Sequence, residues 1–216
     1  MNDKIKINLR TGRHNLMRKI LIATKNKGKA IEYRKIFEPK GFDVITLLDL
    51  DSSEIPEIIE NGSSFEENAT IKAQALTTKF DMTVLADDSG LCVDALNGAP
   101  GIYSARYAGD HDDQANRQKL LKELQGIPTE KRTAHFHTSI VVTHPHKKAL
   151  SVSGEAQGRI LEEERGNQGF GYDPLFYSFD LKKAFAEVST EEKNKVSHRG
   201  KAVRNLMNDF DNWWED

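Results

Sequence analysis

KILIATKNKGKAIEYRKIF, residues 19–37, opens the reading of the fold. Residues 19–23 are a short apolar run and read as a buried strand. A polar Lys/Gly loop follows, and the spacing then predicts a helix over residues 29–37, with Ile31, Ile36 and Phe37 as candidate core residues. Residues 44–48 read as a second strand, and residues 49–61 as a loop with little regular structure. Ser64-Phe65-Glu66-Glu67 fits a capping box, in which a hydroxyl and a glutamate satisfy each other's backbone N–H groups. The helix it opens is expected to run to about Phe80, with Phe65, Ala69, Ala73, Leu76 and Phe80 on one face.

Further along, residues 83–86 are expected to form a short strand that ends at a turn, Asp87-Asp88-Ser89-Gly90. Residues 113–124 predict a helix stopped by Gly126 and Pro128. Residues 133–143 alternate, with Ala134, Phe136, Thr138, Ile140 and Val142 on one side, as in a long half-buried strand. Residues 149–160 read as its hairpin partner. A turn or short helix is expected at 190–193 and a last helix at 200–210. Mixed helices and strands with two long adjacent strands point to an α/β domain carrying a β-rich lobe.

The 216 residues suit one large domain or two closely joined lobes. Lys plus Arg is 31 and Asp plus Glu is 33, a net charge of −2. That is far from the basic balance of non-specific nucleic-acid binders, although local lysines can still meet a phosphate. A single cysteine, Cys92, excludes an intrachain disulfide and fits a reducing compartment. No apolar run approaches the roughly 20 residues needed to span a bilayer. A cytoplasmic location is expected. Residues 1–16 read as an N-terminal tail or extension, with Met17 as an alternative start and residues 17–216 as the domain.

Four places carry candidate chemistry. Thr24, Lys25, Asn26, Lys27, Gly28 and Lys29 lie between a strand and a helix, where free N–H groups attract phosphate and Lys29 adds a point charge. The Walker A spacing is missing, and the pattern alone equally admits a solvated basic turn. An exposed Lys29 would contribute little to stability. The second place is a scattered set of acids: Glu60, Glu67 and Asp87-Asp88. Mg²⁺ takes oxygen ligands and often only one or two carboxylates plus substrate phosphates. Adjacent strand residues point to opposite faces, so one aspartate can line a site while the other supports the turn. Glu67 is equally accounted for as a helix cap.

The third is Gly169-Phe170-Gly171-Tyr172-Asp173-Pro174, whose aromatics between glycines could offer π-faces to a base, or plug the core. The fourth is Ser197-His198-Arg199-Gly200 with Lys193 upstream, where His and Arg supply donors for a keto oxygen or a phosphate, or simply open a helix. His135 and His137 form an H-x-H pair that could chelate a metal. They lack a third ligand at a sensible spacing, so the exposed face of a strand is the favoured reading. Trp213 and Trp214 read as docking the C-terminal segment.

Taken in order, ILIATKNKGK, ENGSSFEENA, ADDSGLCVDALNGAPGIYSARYAG, GFGYDPLF and EEKNKVSHRGKA resemble the inosine/xanthosine triphosphate pyrophosphatase family, from about Arg18 to the final helix. The resemblance implies an elongated α/β fold, a mixed sheet with flanking helices, two lobes and a central substrate cleft, usually in a homodimer. It implies Mg²⁺-dependent cleavage of ITP, dITP or XTP between the α and β phosphates. By motif, Thr24 to Lys29 look like the phosphate grip, and Glu60 and Asp88 like metal ligands, with Asp88 also the proton acceptor. Ser89, Phe170, Gly171, Tyr172, Asp173, Lys193, His198 and Arg199 look like substrate contacts. One departure is Glu164, before Arg165-Gly166, where the family often has Pro. The rivals are a Maf-like nucleotide pyrophosphatase, against which GFGYD and SHRG argue, and a catalytically silent nucleotide sensor, which would have lost the acids.

Overall fold

A computed structural model describes residues 18–109 and 112–215. The expected N-terminal tail and Met17 lie outside these residues. Strand β1 (Arg18–Ile22) leads into helix α1 (Lys27–Phe37), and β2 (Phe42–Thr46) returns beside β1 in parallel register, Arg18 opposite Phe42 and Ile22 opposite Thr46. Ile20, Leu21 and Ile22 are all buried, as befits a strand covered on both faces. Helix α1 starts two residues earlier than expected, because Asn26 caps it by accepting from the Lys29 N–H. This sets the helix face. Ala30, Tyr33 and Phe37 are buried, whereas Ile31 is 56% exposed and Ile36 half-buried, so the expectation that Ile31 is a core residue is corrected.

Helix α2 (Phe65–Phe80) buries Ala69, Ala73, Leu76 and Phe80, spaced three or four apart as expected. The larger correction concerns β3 (Thr83–Val93), an 11-residue strand that pairs with β1 in parallel, Ile20 opposite Thr83. Asp87, Asp88, Ser89 and Gly90 are therefore strand residues, not a turn. Gly90 belongs there for lack of room: a Cβ would meet the Gly101 carbonyl oxygen at 2.3 Å and Phe65 and Ser104 side-chain atoms at 2.7 Å.

Helix α3 (Asp113–Glu123) precedes β4 (Thr133–His144) and β5 (Lys147–Ile160), neighbouring strands joined through residues 145–146. Residues 138–143 of β4 are buried on both faces, so this strand is more than half-buried. Short strands β6 (Phe176–Ser178) and β7 (Lys183–Ala184) complete a seven-stranded mixed sheet of order β2-β1-β3-β4-β5-β6-β7. β5 and β6 are antiparallel. Helix α4 (Thr190–Val196) opens with a Ser189/Glu192 capping box. Helix α5 (His198–Glu215) is longer than expected and buries His198, Ala202, Leu206 and Phe210 along one stripe.

The described chain divides into two compact units. One holds residues 18–62, Glu66–Asp87 and Val141–Ser151, around Leu21, Leu47, Ala69, Ala73, Leu76, Val84 and Val141. The other holds Ser63–Phe65, Asp88–Ile140 and 152–215, around Leu91, Leu120, Phe136, Ile160, Tyr172 and Phe176. In the second, Phe136, Phe176 and Phe185 cluster with centroids 4.7–6.0 Å apart. Arg132 is buried there and ties the end of α3 to its surroundings. It donates to the carbonyls of Ile127 at 2.9 Å, Leu124 at 3.0 Å and Leu161 at 3.3 Å.

Candidate active site

In the first unit, the loop after β1 becomes the start of α1. Thr24 is buried and its hydroxyl accepts the Asn26 N–H at 3.1 Å, while Lys25, Asn26, Lys27 and Gly28 are exposed. No acid stands in the first turn of α1, so no carboxylate there would repel an anion at its N-terminal dipole. Lys29 turns inward. Its Nζ lies 2.7 Å from Asp87 Oδ2 on β3, and that carboxylate is almost wholly buried. Lys29 is thus tied to the core, which corrects the expectation of an exposed lysine.

Glu60 is fixed through the chain that follows it. The Gly62 N–H donates to the buried Asn68 side chain at 2.8 Å, and a Cβ on Gly62 would meet Glu67 and Asn68 atoms at 2.7–2.8 Å. Lys72 Nζ then pairs with Glu60 Oε2 at 3.1 Å and donates to the Asp87 carbonyl at 3.4 Å. Two carboxylates and two ammonium groups thereby meet around Asp87. Lys72 was not among the expected site residues. The signal was present, since Lys72 interrupts the apolar stripe of α2, three residues after Ala69 and four before Leu76. A charge on a buried stripe asks for a partner.

In the second unit, Asp88 and Ser89 are half-buried, and the Ser89 hydroxyl is 2.8 Å from that of Thr138. The glycine-rich segment is a turn, as expected, with Gly169 at φ 76° and Gly171 at φ 60°. Phe170 is 52% exposed on that turn. Of the two readings open for its ring, Tyr172 takes the core plug and not the open π-face. It is 4% exposed, packs in the core, and donates its hydroxyl to the Ser104 carbonyl at 2.9 Å. Burial pushes its phenol well above the ordinary range, so it stays a neutral donor.

Asp173 is buried beneath the turn. Its Oδ2 accepts the Phe170 N–H at 3.0 Å and Lys193 Nζ at 2.5 Å. The same ammonium lies 5.0 Å from the Phe170 ring centroid and 5.2 Å from that of Phe185. His198 and Arg199, in the first turn of α5, are both buried. The His198 ring stacks on Phe136 with centroids 4.7 Å apart. The start of α5 is set by close approaches. The Gly200 N–H donates to the Ser197 hydroxyl at 3.1 Å, and a Cβ on Gly200 would meet the Asn194 carbonyl oxygen at 1.8 Å.

His137 is accounted for without a metal. Its Nδ1 is 3.1 Å from Glu155 Oε1, its Nε2 is 3.0 Å from the Ser139 hydroxyl, and its ring stacks on Phe65. Among the described residues, no group of three or more His, Cys, Asp or Glu side chains could hold a metal ion. A preformed structural metal centre is therefore absent among them.

Comparison with known proteins agrees with this arrangement of elements. A model of the Ham1 family matches residues 20–209. The dITP/XTP pyrophosphatase of Lactiplantibacillus plantarum is 51% identical over 195 residues, covering 90% of this chain and 96% of that protein. The dITP/XTP pyrophosphatase of Bacillus cereus is 49% identical over 201 residues, covering 92% and 97%. The solved structure of the Staphylococcus aureus Ham1 protein aligns with a TM-score of 0.83 at 40% identity, over 90% of this chain and 99% of that one. From β1 into α5, in sequence and in fold alike, this chain belongs to the Ham1 family.

Proposed function

We propose that this chain hydrolyses non-standard purine nucleoside triphosphates, ITP, dITP and XTP, to the monophosphate and pyrophosphate. The observation that carries this is the meeting of Lys29 and Lys72 with Glu60 and Asp87 at the start of α1, whose first turn holds no acid. The four charges cancel as they stand, and a polyphosphate that arrives with a cation can take the ammonium groups while the cation takes a carboxylate; such placing of charge is most of what phosphoryl transfer asks of a protein. Membership of the Ham1 family and relatives that are dITP/XTP pyrophosphatases support the substrate class.

Thr24, Lys25, Asn26, Lys27, Gly28 and Lys29 grip the phosphates. Glu60 and Asp88 would hold Mg²⁺, which supplies charge neutralisation at the phosphates when bound. Asp88 also orients the attacking water and accepts its proton. Ser89 contacts the substrate nearby. Phe170 stacks on the purine, with Gly171, Tyr172, Asp173 and Lys193 shaping its turn. His198 and Arg199 offer donors to the 6-keto oxygen. The protein is proposed to work in the cytoplasm as a homodimer, which sedimentation would test. The single cysteine suits that compartment, and no helix among the described residues is long and apolar enough to cross a membrane.

The test is pyrophosphate release from ITP with and without Mg²⁺, alongside ATP and GTP. Mg²⁺-dependent release favouring ITP is expected. Faster turnover of a standard triphosphate supports a Maf-like preference, and binding without release supports a sensor.

A further inference from the structure

The turn that presents Phe170 is held by a helix to which sequence motifs assign no role. Asp113, the first residue of α3, accepts the Gly171 N–H at 2.7 Å. Arg117, one turn on, donates from Nη1 to the Gly171 carbonyl at 3.0 Å. Residues four apart share a helix face, so α3 grasps both backbone groups of one glycine. Arg117 is itself aimed by Glu164, whose Oε1 accepts from Nε at 2.7 Å.

On its other side, Phe170 is fixed through its N–H to Asp173. The backbone around Phe170 and Gly171 is thus tied by four hydrogen bonds, two of them to carboxylates and one from the Asp173 N–H to the Phe170 carbonyl at 3.2 Å, while the ring is half exposed with the Lys193 ammonium 5.0 Å from its centroid. Glycine at 171 with φ 60° would otherwise leave the turn free to adopt many conformations. Ordering it before the ligand arrives removes that entropy from the binding step.

We propose that Asp113 and Arg117, with Glu164 behind Arg117, are positioning residues that hold the Phe170 ring as a platform for the purine base of the substrate. This rests on the proposed role of Phe170. The effect is on binding and not on the chemical step.

The experiment measures kcat and KM for ITP at saturating Mg²⁺, with thermal midpoints, for Asp113→Ala, Arg117→Ala, Phe170→Ala and the double variants Asp113→Ala/Phe170→Ala and Arg117→Ala/Phe170→Ala. Each single change in α3 is expected to raise KM about fivefold with kcat within about twofold, as for loss of a charge-assisted hydrogen bond that acts on ground-state binding. In the Phe170→Ala background the same changes should leave KM where Phe170→Ala alone put it, because they act through that ring. Asp113→Asn keeps the size and one acceptor oxygen, and should give an intermediate KM even if an alanine variant folds poorly. An unchanged KM in the α3 variants, or a full fivefold increase repeated in the Phe170→Ala background, would overturn the proposal. Failure of the underlying reading looks different: Phe170→Ala itself would then leave KM for ITP at the wild-type value.

Discussion

Lys29 Nζ and Asp87 Oδ2 form an ion pair at 2.7 Å, with the carboxylate side chain only 2% exposed. A residue that the sequence presents as part of a solvated basic loop is therefore half of a pair anchored in the sheet. Lys29→Ala is expected to do two things at once. It raises KM for triphosphates, and it lowers stability by about 3 kcal/mol, the low end for breaking a buried pair, since Lys29 keeps some solvent contact. Kinetics and a urea melt on the same sample check this. A normal melt with raised KM would mean that Asp87 does not depend on Lys29.

Asp88→Asn keeps the shape of the side chain and removes its charge and basicity. A loss of kcat of about a hundredfold or more is expected, in the range of lost general acid–base groups. Turnover of ITP at saturating Mg²⁺ measures it. Wild-type turnover in this variant would remove Asp88 from the role of proton acceptor.

Arg132→Lys tests the fold apart from the site. The guanidinium serves three carbonyls from Nε, Nη1 and Nη2, and a lysine ammonium cannot reproduce that fork. A loss of roughly 2 kcal/mol is expected, from carbonyls left without donors in a buried place. The kinetic constants of the folded enzyme should be near those of the wild type.

Cys92 gives a pH dependence with a fixed sign. Burial first, then Glu155 and Asp94, push its thiol from 9.0 up to about 11. The folded state therefore holds this proton more tightly than the unfolded chain. Its contribution to stability is present below pH 9 and is lost as pH rises toward 11. At pH 8, alkylation of Cys92 should be about a hundredfold slower than that of an ordinary exposed thiol, because so little thiolate is present. Mass spectrometry after iodoacetamide treatment reads the rate in the folded and the urea-unfolded protein.

The parts of the fold that follow from local pattern were legible in the sequence. Residues 133–143 alternate and form β4, and Phe65, Ala69, Ala73, Leu76 and Phe80 mark the face of α2. Gly126 and Pro128 likewise place the end of α3. What escaped was set by distant partners. Two aspartates, a serine and a glycine look like a turn, yet β3 runs through them because strand β1 pairs alongside and Gly90 lets Gly101 and Ser104 come close. Tyr172 looks like a partner for a base because glycine and an aromatic precede it, but Ser104, far along the chain, supplies the acceptor that lets it be buried. The place of Lys72 on the apolar stripe of α2 asks for a partner without naming Glu60, and Asp113 and Arg117 owe their positions to Gly171, a contact that no spacing within a helix discloses.

In the proposed reaction, water cleaves the α–β anhydride of a 6-keto purine triphosphate, and adenine is spared. Arg199 is buried and offers only donors, which suit a keto oxygen and oppose the adenine amino group, so in the proposed role it would discriminate between the bases where stacking on Phe170 would not. The most direct measurement separates the products of ITP and ATP by ion-exchange chromatography for the wild type and Arg199→Ala, with initial rates giving kcat/KM. IMP and pyrophosphate are expected in equal amounts, with no IDP, slow turnover of ATP, and an ITP-to-ATP ratio about tenfold or more smaller in Arg199→Ala. Formation of IDP and inorganic phosphate, or equal kcat/KM for ITP and ATP in the wild type, would contradict it.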